Sequence, residues 1–244
     1  MHIPNTIRAV IFDLDGTLRI NRPAINKTFY QFAKELGLTS SRVQQHNSAQ
    51  WAHFYWAQSD TLASDLEALG HDDERFWSNY IKRNLVALGC TEENAAKIAP
   101  KMRDKMKNQV FSSVVPDDVL QTLQSLKNAG YTIGLVSNRR HPIADELKEL
   151  GLSPLLDFAY VAGEVALWKP NPKIFDRAIA ESGVAREQII YVGDNYYADI
   201  VGAKRAGMVP ILIDPDQVFP DAECTIIQSI GEIPGLLPAS INIV

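Results

Sequence analysis

The sequence predicts an α/β fold built on a parallel sheet. Three observations carry that expectation. Short apolar runs recur along the chain, each bounded by a turn signal, as buried parallel strands are. Stretches of helical pattern separate them and close on glycine. Polar residues gather immediately after the runs.

Ala9-Val10-Ile11-Phe12 is the first such run, and Asp13-Leu14-Asp15-Gly16-Thr17 stops it. From Pro23 to Asn108 the pattern becomes helical, interrupted by Gly37, Gly70 and Gly89. Pro23 suits a helix start and Gly37 a helix end, and Thr91 before Glu92, Glu93 and Asn94 reads as another start. Pro116 to Ala129 reads as a helix closed by Gly130, followed by a strand, Tyr131 to Val136, that ends at Ser137-Asn138. Pro142 to Leu150 is a helix, Phe158 to Val161 a strand, and Pro172 to Ser182 a helix closed by Gly183. Ile189 to Val192 is a strand ending at Gly193-Asp194, Ala198 to Ala206 a helix closed by Gly207, and Pro210 to Ile213 a strand ending at Asp214. Strands that alternate with helices in this way make a parallel sheet. The expected division is a sheet unit of residues 1–17 and 114–244, with residues 18–113 as a helical insert.

The 244 residues are enough for one or two globular domains. At 46% apolar and 22% charged, the composition is that of a folded soluble protein and excludes general disorder. A net charge of −5 argues against a nucleic-acid partner bound through a basic surface. That charge is uneven: residues 18–113 hold 13 basic and 10 acidic side chains, the remainder 11 and 19. No run approaches the roughly 18 apolar residues of a membrane span, and the residues before Ala9 show no cationic-then-apolar leader. Cys90 and Cys224 have neither metal-ligand nor disulfide-framework spacing and suit a reducing compartment. The expectation is a cytoplasmic protein; its oligomeric state is open.

Asp13 and Asp15, Ser137 and Asn138, and Asp194 all stand at the carboxyl ends of predicted strands, where open α/β sheets bind ligands. Lys169, in Leu167-Trp168-Lys169-Pro170, precedes a helix, and Asp199 follows Asp194 by one turn. Several carboxylates in one crevice repel each other and need a cation. An all-oxygen set favours a hard ion such as Mg²⁺, which commonly bridges carboxylates and phosphate oxygens. A lysine and a hydroxyl beside it would hold the other phosphate oxygens, and an aspartate could serve as nucleophile.

This set resembles the haloacid dehalogenase superfamily of phosphohydrolases. Asp13-Leu14-Asp15-Gly16-Thr17, Ser137 with Asn138, Lys169-Pro170-Asn171-Pro172, and Gly193-Asp194 through Asp199 match its four motifs in order, over the whole chain. The resemblance implies a Rossmann-like sheet core with an inserted all-α cap domain. It implies an Mg²⁺-dependent phosphatase acting on a small phosphorylated metabolite through an aspartyl-phosphate. Asp13 would be the nucleophile and Asp15 the general acid, then base, with Thr17 positioning Asp15. Ser137 and Asn138 would bind phosphoryl oxygens, and Lys169 would stabilise charge on them. Asp13, the backbone carbonyl of Asp15 and Asp194 would ligate Mg²⁺, with Asp199 close by.

Each residue also has a plainer reading. An aspartate after a strand often only caps or turns, and Asp199 could face solvent on a helix. Trp51 with Tyr55, and Phe76 with Tyr80, share helix faces at i, i+4 and read as core of the insert, with a wall for the substrate's leaving group as the alternative. Many relatives carry an acid shortly after the first motif's Thr-Leu; this chain has Arg19-Ile20-Asn21. Arg19, Arg22 and Lys27 suit either an anionic substrate or solvent, and Arg139 or Arg140 could reach the crevice from beside Ser137. Three other functions stand beside the phosphatase. A dehalogenase would lack Asp15, a phosphomutase would return the phosphoryl group to a sugar, and a silent binding protein would have no need of the full set.

Overall fold

The computed structural model describes residues 3–70 and 74–239, so Met1 and His2 of the N-terminal segment lie outside the described residues. The chain forms two compact units, one of Met1–Ile20 with Val114–Val244 and one of Asn21–Ser113. In chain order, β1 (Ala9–Phe12) is followed by a short β2 (Ile20–Arg22). Five helices come next: α1 (Ile25–Glu35), α2 (Arg42–Trp56), α3 (Asp60–Leu69), α4 (Glu74–Ala87) and α5 (Glu92–Asn108). The short strand β3 (Ser112–Val114) pairs with β2 as a two-stranded ribbon. Then follow α6 (Asp117–Asn128), β4 (Thr132–Ser137), α7 (Ala144–Glu149), β5 (Phe158–Val161), α8 (Ala162–Val165), α9 (Pro172–Ser182) and β6 (Ile189–Gly193). After β6 come α10 (Val201–Ala206), β7 (Val209–Ile213) and β8 (Thr225–Ile227).

Six strands form one parallel sheet in the order β5-β4-β1-β6-β7-β8, flanked by helices in a Rossmann-like arrangement. Both faces of β1 are buried, as its unbroken apolar run requires. Val10 and Phe12 enter one core with Ile133, Leu135, Ile190 and Val192 from the neighbouring strands and Val119 and Leu123 from α6. Ala9 and Ile11 alternate to the other core, with Phe175 and Ala178 of α9 and Ala203 of α10. The chain leaves β1 toward β4 and β5, then crosses back to β6 on β1's other side and continues outward. The carboxyl ends of β4, β1 and β6 therefore lie side by side at the point where the strand order reverses, where such sheets form a crevice.

Besides the β2–β3 ribbon, β8 and the start of one helix differ from the local pattern. β8 is only three residues long and too short to show alternation. The segment read as a helix from Ala198 begins two residues earlier as a π-turn, Tyr196–Ile200, whose first N–H groups are capped by the Asn195 carboxamide.

The helical unit has its own cores. Phe29 and Ala33 of α1 pack with Leu85 of α4 and Ala95, Ala99 and Met102 of α5. Tyr55 and Phe76 are fully buried in a second cluster with Leu62. The Trp51 ring lies 5.0 Å from that of Tyr55, and the Tyr55 hydroxyl donates to buried Asp65 at 3.0 Å. These contacts make Tyr55 and Phe76 core residues. Trp77, by contrast, is 39% exposed.

Candidate active site

The site is assembled by the ends of three adjacent strands. Asp13 directly follows β1, and its N–H still pairs with the Val192 carbonyl of β6 at 2.9 Å. The carboxylate is consequently fixed at the carboxyl end of a central strand and is only 6% exposed. Lys169 is 1% exposed. Its ammonium donates to Asp13 Oδ1 at 2.6 Å, Asp199 Oδ1 at 2.7 Å and the Val136 carbonyl at 3.0 Å. Three donors meet three acceptors, so the buried cation is fully satisfied. The π-turn after β6 supplies Asp199, whose other oxygen accepts the Asn195 N–H at 3.0 Å.

Carboxylate oxygens of Asp13, Asp194 and Asp199 lie within 4.8 Å of one another. Gly16 makes room for this approach: a Cβ there would fall 2.2 Å from Asp194 Oδ2, and its φ of +89° is one a side chain resists. Burial pushes the Asp13 carboxyl up to about 7; Lys169 pulls it back and Asp199 adds to the rise. Burial also holds Asp194 well above the usual carboxylate range, with Asp13 and Asp199 adding repulsion. Burial pulls the Lys169 ammonium down, but Asp13 and Asp199 outweigh it and keep the group charged. One lysine charge faces three carboxylates. The deficit is the charge of a divalent cation, and the all-oxygen donor set suits a hard one.

The other sequence-selected residues are placed as follows. Ser137 ends β4 and is buried at 2% exposure. Asn138 does not offer its side chain to the crevice. Its amide donates to the Lys169 carbonyl at 2.9 Å and its oxygen accepts the Lys169 N–H at 2.7 Å, so it pins the backbone that carries the lysine. Thr17 is buried, but its hydroxyl has no hydrogen-bond partner among the described residues, and it does not hold Asp15. Arg139 and Arg19 hold Asp15 instead, both with Glu146. The Asp15 side chain is outside the three-carboxylate cluster, so a metal ligand from this residue would be its backbone carbonyl. Arg19 and Arg139 were visible in the sequence as charges near the motifs. Glu146 carried no signal, since nothing local marks a helix-start acid as the partner of residues far along the chain.

The fold is an α/β sheet with a buried aspartate–lysine pair at its switch point, ringed by further carboxylates. The sequence matches the haloacid dehalogenase-like hydrolase family over residues 7–207, and the chain belongs to that family. It is 25% identical to a haloacid dehalogenase-like hydrolase domain-containing protein 3 of Danio rerio, covering 97% of this chain and 98% of the relative. It is also 25% identical to a phosphoserine phosphatase of Thermus thermophilus, over 93% and 96% of the two chains. The fold resembles that of a 2-haloacid dehalogenase from Pseudomonas syringae, with a TM-score of 0.54 and 23% identity over 94% and 97% of the chains. A phosphatase thus stands among its sequence relatives, and a dehalogenase among the solved structures of like fold.

Proposed function

We propose that the protein is an Mg²⁺-dependent phosphatase that hydrolyses a small phosphorylated metabolite through an aspartyl-phosphate on Asp13. One observation carries this reading: the Asp13 carboxylate is held 2.6 Å from the Lys169 ammonium, while a second carboxylate, Asp15, stands two residues on and outside that cluster. Nucleophile and proton donor are thereby separate groups, as phosphoryl transfer to an aspartate and back to water requires. A dehalogenase has no need of the second carboxylate.

Asp13 would attack phosphorus as the bond to the leaving oxygen breaks, and Asp15 would give that oxygen its proton. Asp15, now ionised, would take a proton from water. That water's oxygen would then attack phosphorus, and the bond to Asp13 would break to release inorganic phosphate. Lys169 and Ser137 would meet the charge on the phosphoryl oxygens. Asp199 and Asn138 would aim the lysine. A cation on Asp13, Asp194 and the Asp15 carbonyl would neutralise the crowded carboxylates and polarise a phosphoryl oxygen.

The helical unit, as a cap, would select the leaving group. Within that unit lies a largely apolar cavity of about 460 Å³, walled by Phe29, Trp77, Tyr80, Ile81 and Met106 among others. No described helix is long and apolar enough to cross a membrane. Both cysteines are free thiols, which supports the reading of a reducing, cytoplasmic setting.

The test is release of phosphate from a panel of sugar phosphates, nucleoside monophosphates and small acid phosphates, with Mg²⁺ and with a chelator, beside halide release from 2-haloacids. Phosphate release that needs Mg²⁺ is expected. Halide release without phosphate release would overturn the reading.

A further inference from the structure

Tyr191 stands in the middle of β6 and is the one side chain of that strand with a polar end. It is fully buried on the face of the sheet that packs against α9, beside Phe175 and Ala178. Its hydroxyl meets the Val136 carbonyl at 3.1 Å. A carbonyl can only accept, so the tyrosine donates. The β1–β4 ladder ends at Phe12 and Leu135, and the Val136 carbonyl is the next along β4. The same carbonyl accepts from the Lys169 ammonium at 3.0 Å. That ammonium also lies over the Tyr191 ring, 5.6 Å from its centroid. This is inside the roughly 6 Å within which a ring face attracts a cation. One tyrosine thus meets the lysine twice, through its ring and through the carbonyl they share.

The ring is itself held. Phe175 of α9 packs edge-on against it, with centroids 5.1 Å apart and planes at 69°. Phe175 is backed by α10, which comes close because Gly202 has no side chain. A Cβ there would fall 2.5 Å from Phe175 Cε2 and 3.3 Å from the Cα of Pro170, the residue after Lys169. α10 continues the π-turn that carries Asp199, the second carboxylate on the ammonium. The supports of Lys169 therefore divide into two kinds. Asp13 would trade its charge for a phosphoryl group during turnover, so the hydrogen bond to it would change. The ring and the Val136 carbonyl are neutral and take no part in bond making.

We infer that Tyr191 is a positioning residue for Lys169, with its ring as the fixed support of the ammonium while the charge on Asp13 changes. The inference rests on the proposed role of Lys169 in meeting charge on the phosphoryl oxygens. A displacement of about 1 Å in a reacting group costs about 10²-fold in rate.

The test has two arms. The first is spectroscopic and uses the protein grown with labelled lysine. A ring face shields protons that lie over it, so the Lys169 ε-methylene resonance is expected upfield of that of a lysine in an unfolded chain, with an Overhauser contact to the Tyr191 ring. Tyr191→Phe is expected to keep the shift and Tyr191→Leu to lose it. The second arm is the kinetics of p-nitrophenyl phosphate hydrolysis with Mg²⁺. Tyr191→Leu is expected to lower kcat about 10²-fold, with KM moved far less, since the lysine acts most on charge that develops in the transition state. Tyr191→Phe keeps the ring and is expected to stay within about tenfold of wild type, the worth of one hydrogen bond. A residue that only filled the core would lower thermal unfolding but leave the kcat of the folded protein unmoved. Wild-type kcat in a folded Tyr191→Leu protein, or an equal fall in Tyr191→Phe, would overturn the inference while leaving the phosphatase reading intact. Should the leucine variant not fold, an unshielded Lys169 ε-methylene without contact to the ring in the unsubstituted protein would overturn it alone. Absence of phosphate release by the unsubstituted protein would instead overturn the phosphatase reading, and this inference with it.

Discussion

Asp13→Asn is expected to lower phosphate release by about 10⁴-fold or more, as removal of a nucleophile does. An amide oxygen cannot form the acyl phosphate, and of the described carboxylates nearby Asp194 is the one proposed to hold the cation. Asp15 is turned onto Arg139, and Asp199 is engaged by Lys169 and the Asn195 N–H. The variant is expected to fold, because the asparagine oxygen can still accept from Lys169 while one charge leaves a crowded cluster. Turnover of an aryl phosphate within tenfold of wild type, with unchanged thermal unfolding, would remove Asp13 from the role assigned to it.

Lys169→Met is expected to be the most damaging change to the fold itself as well as to activity. The ammonium is buried and makes three hydrogen bonds, two of them to carboxylates. Methionine fills a similar volume but leaves those carboxylates facing each other without a counter-charge. Breaking a buried ion pair from one side costs about 3–5 kcal/mol, and losing the cation's hold on developing charge costs about 10²–10³-fold in kcat. The deficit has a defined pH dependence in the absence of divalent cation. Burial already raises Asp13 to about 7 and Asp194 well above the usual range, against about 3.9 in an unfolded chain. The folded state therefore binds more protons than the unfolded one between those values, and these groups make stability fall as pH rises through that window. Without Lys169 the Asp13 carboxyl loses the neighbour that pulls it down, so the fall steepens. Urea unfolding is expected to show a small deficit near pH 5 and the full deficit near pH 8. A deficit that shrinks as pH rises would contradict this account.

Much of the sheet was legible because buried parallel strands leave unbroken apolar runs. Ala9–Phe12 and Ile189–Val192 are such runs, and the polar residues behind them, Asp13 and Asp194, fall at strand ends by necessity of the chain path. β8 was not legible, since a three-residue edge strand carries no periodicity. The ribbon of β2 and β3 escaped for the same reason, as its pairing joins segments 90 residues apart in pattern-poor sequence.

The site's residue types were legible, but their directions were not. Asn138 reads locally as a polar residue at a strand end; only the folded chain shows it turned onto the backbone of Lys169, 31 residues on. The pairing of Arg139 with Asp15 spans 124 residues and that of Arg19 with Glu146 spans 127. Local propensity and periodicity hold no information about partners at such separations. The aromatic run of the insert was ambiguous because stacking residues and core residues share one composition. Packing assigns Tyr55 and Phe76 to the core and leaves Trp77 at the surface.

The measurement that bears most directly on the account is the location of the phosphoryl group during turnover. The protein and its Asp15→Asn variant, in which an amide cannot take the proton from water, would be mixed with p-nitrophenyl phosphate and Mg²⁺, quenched in acid within the first turnover, and mapped by mass spectrometry. The account predicts a phosphoryl group on the peptide containing Asp13, at Asp13 itself, and more of it in the variant. Nitrophenol release with the phosphoryl group on Ser137 or another side chain, or on no residue at all, would contradict it.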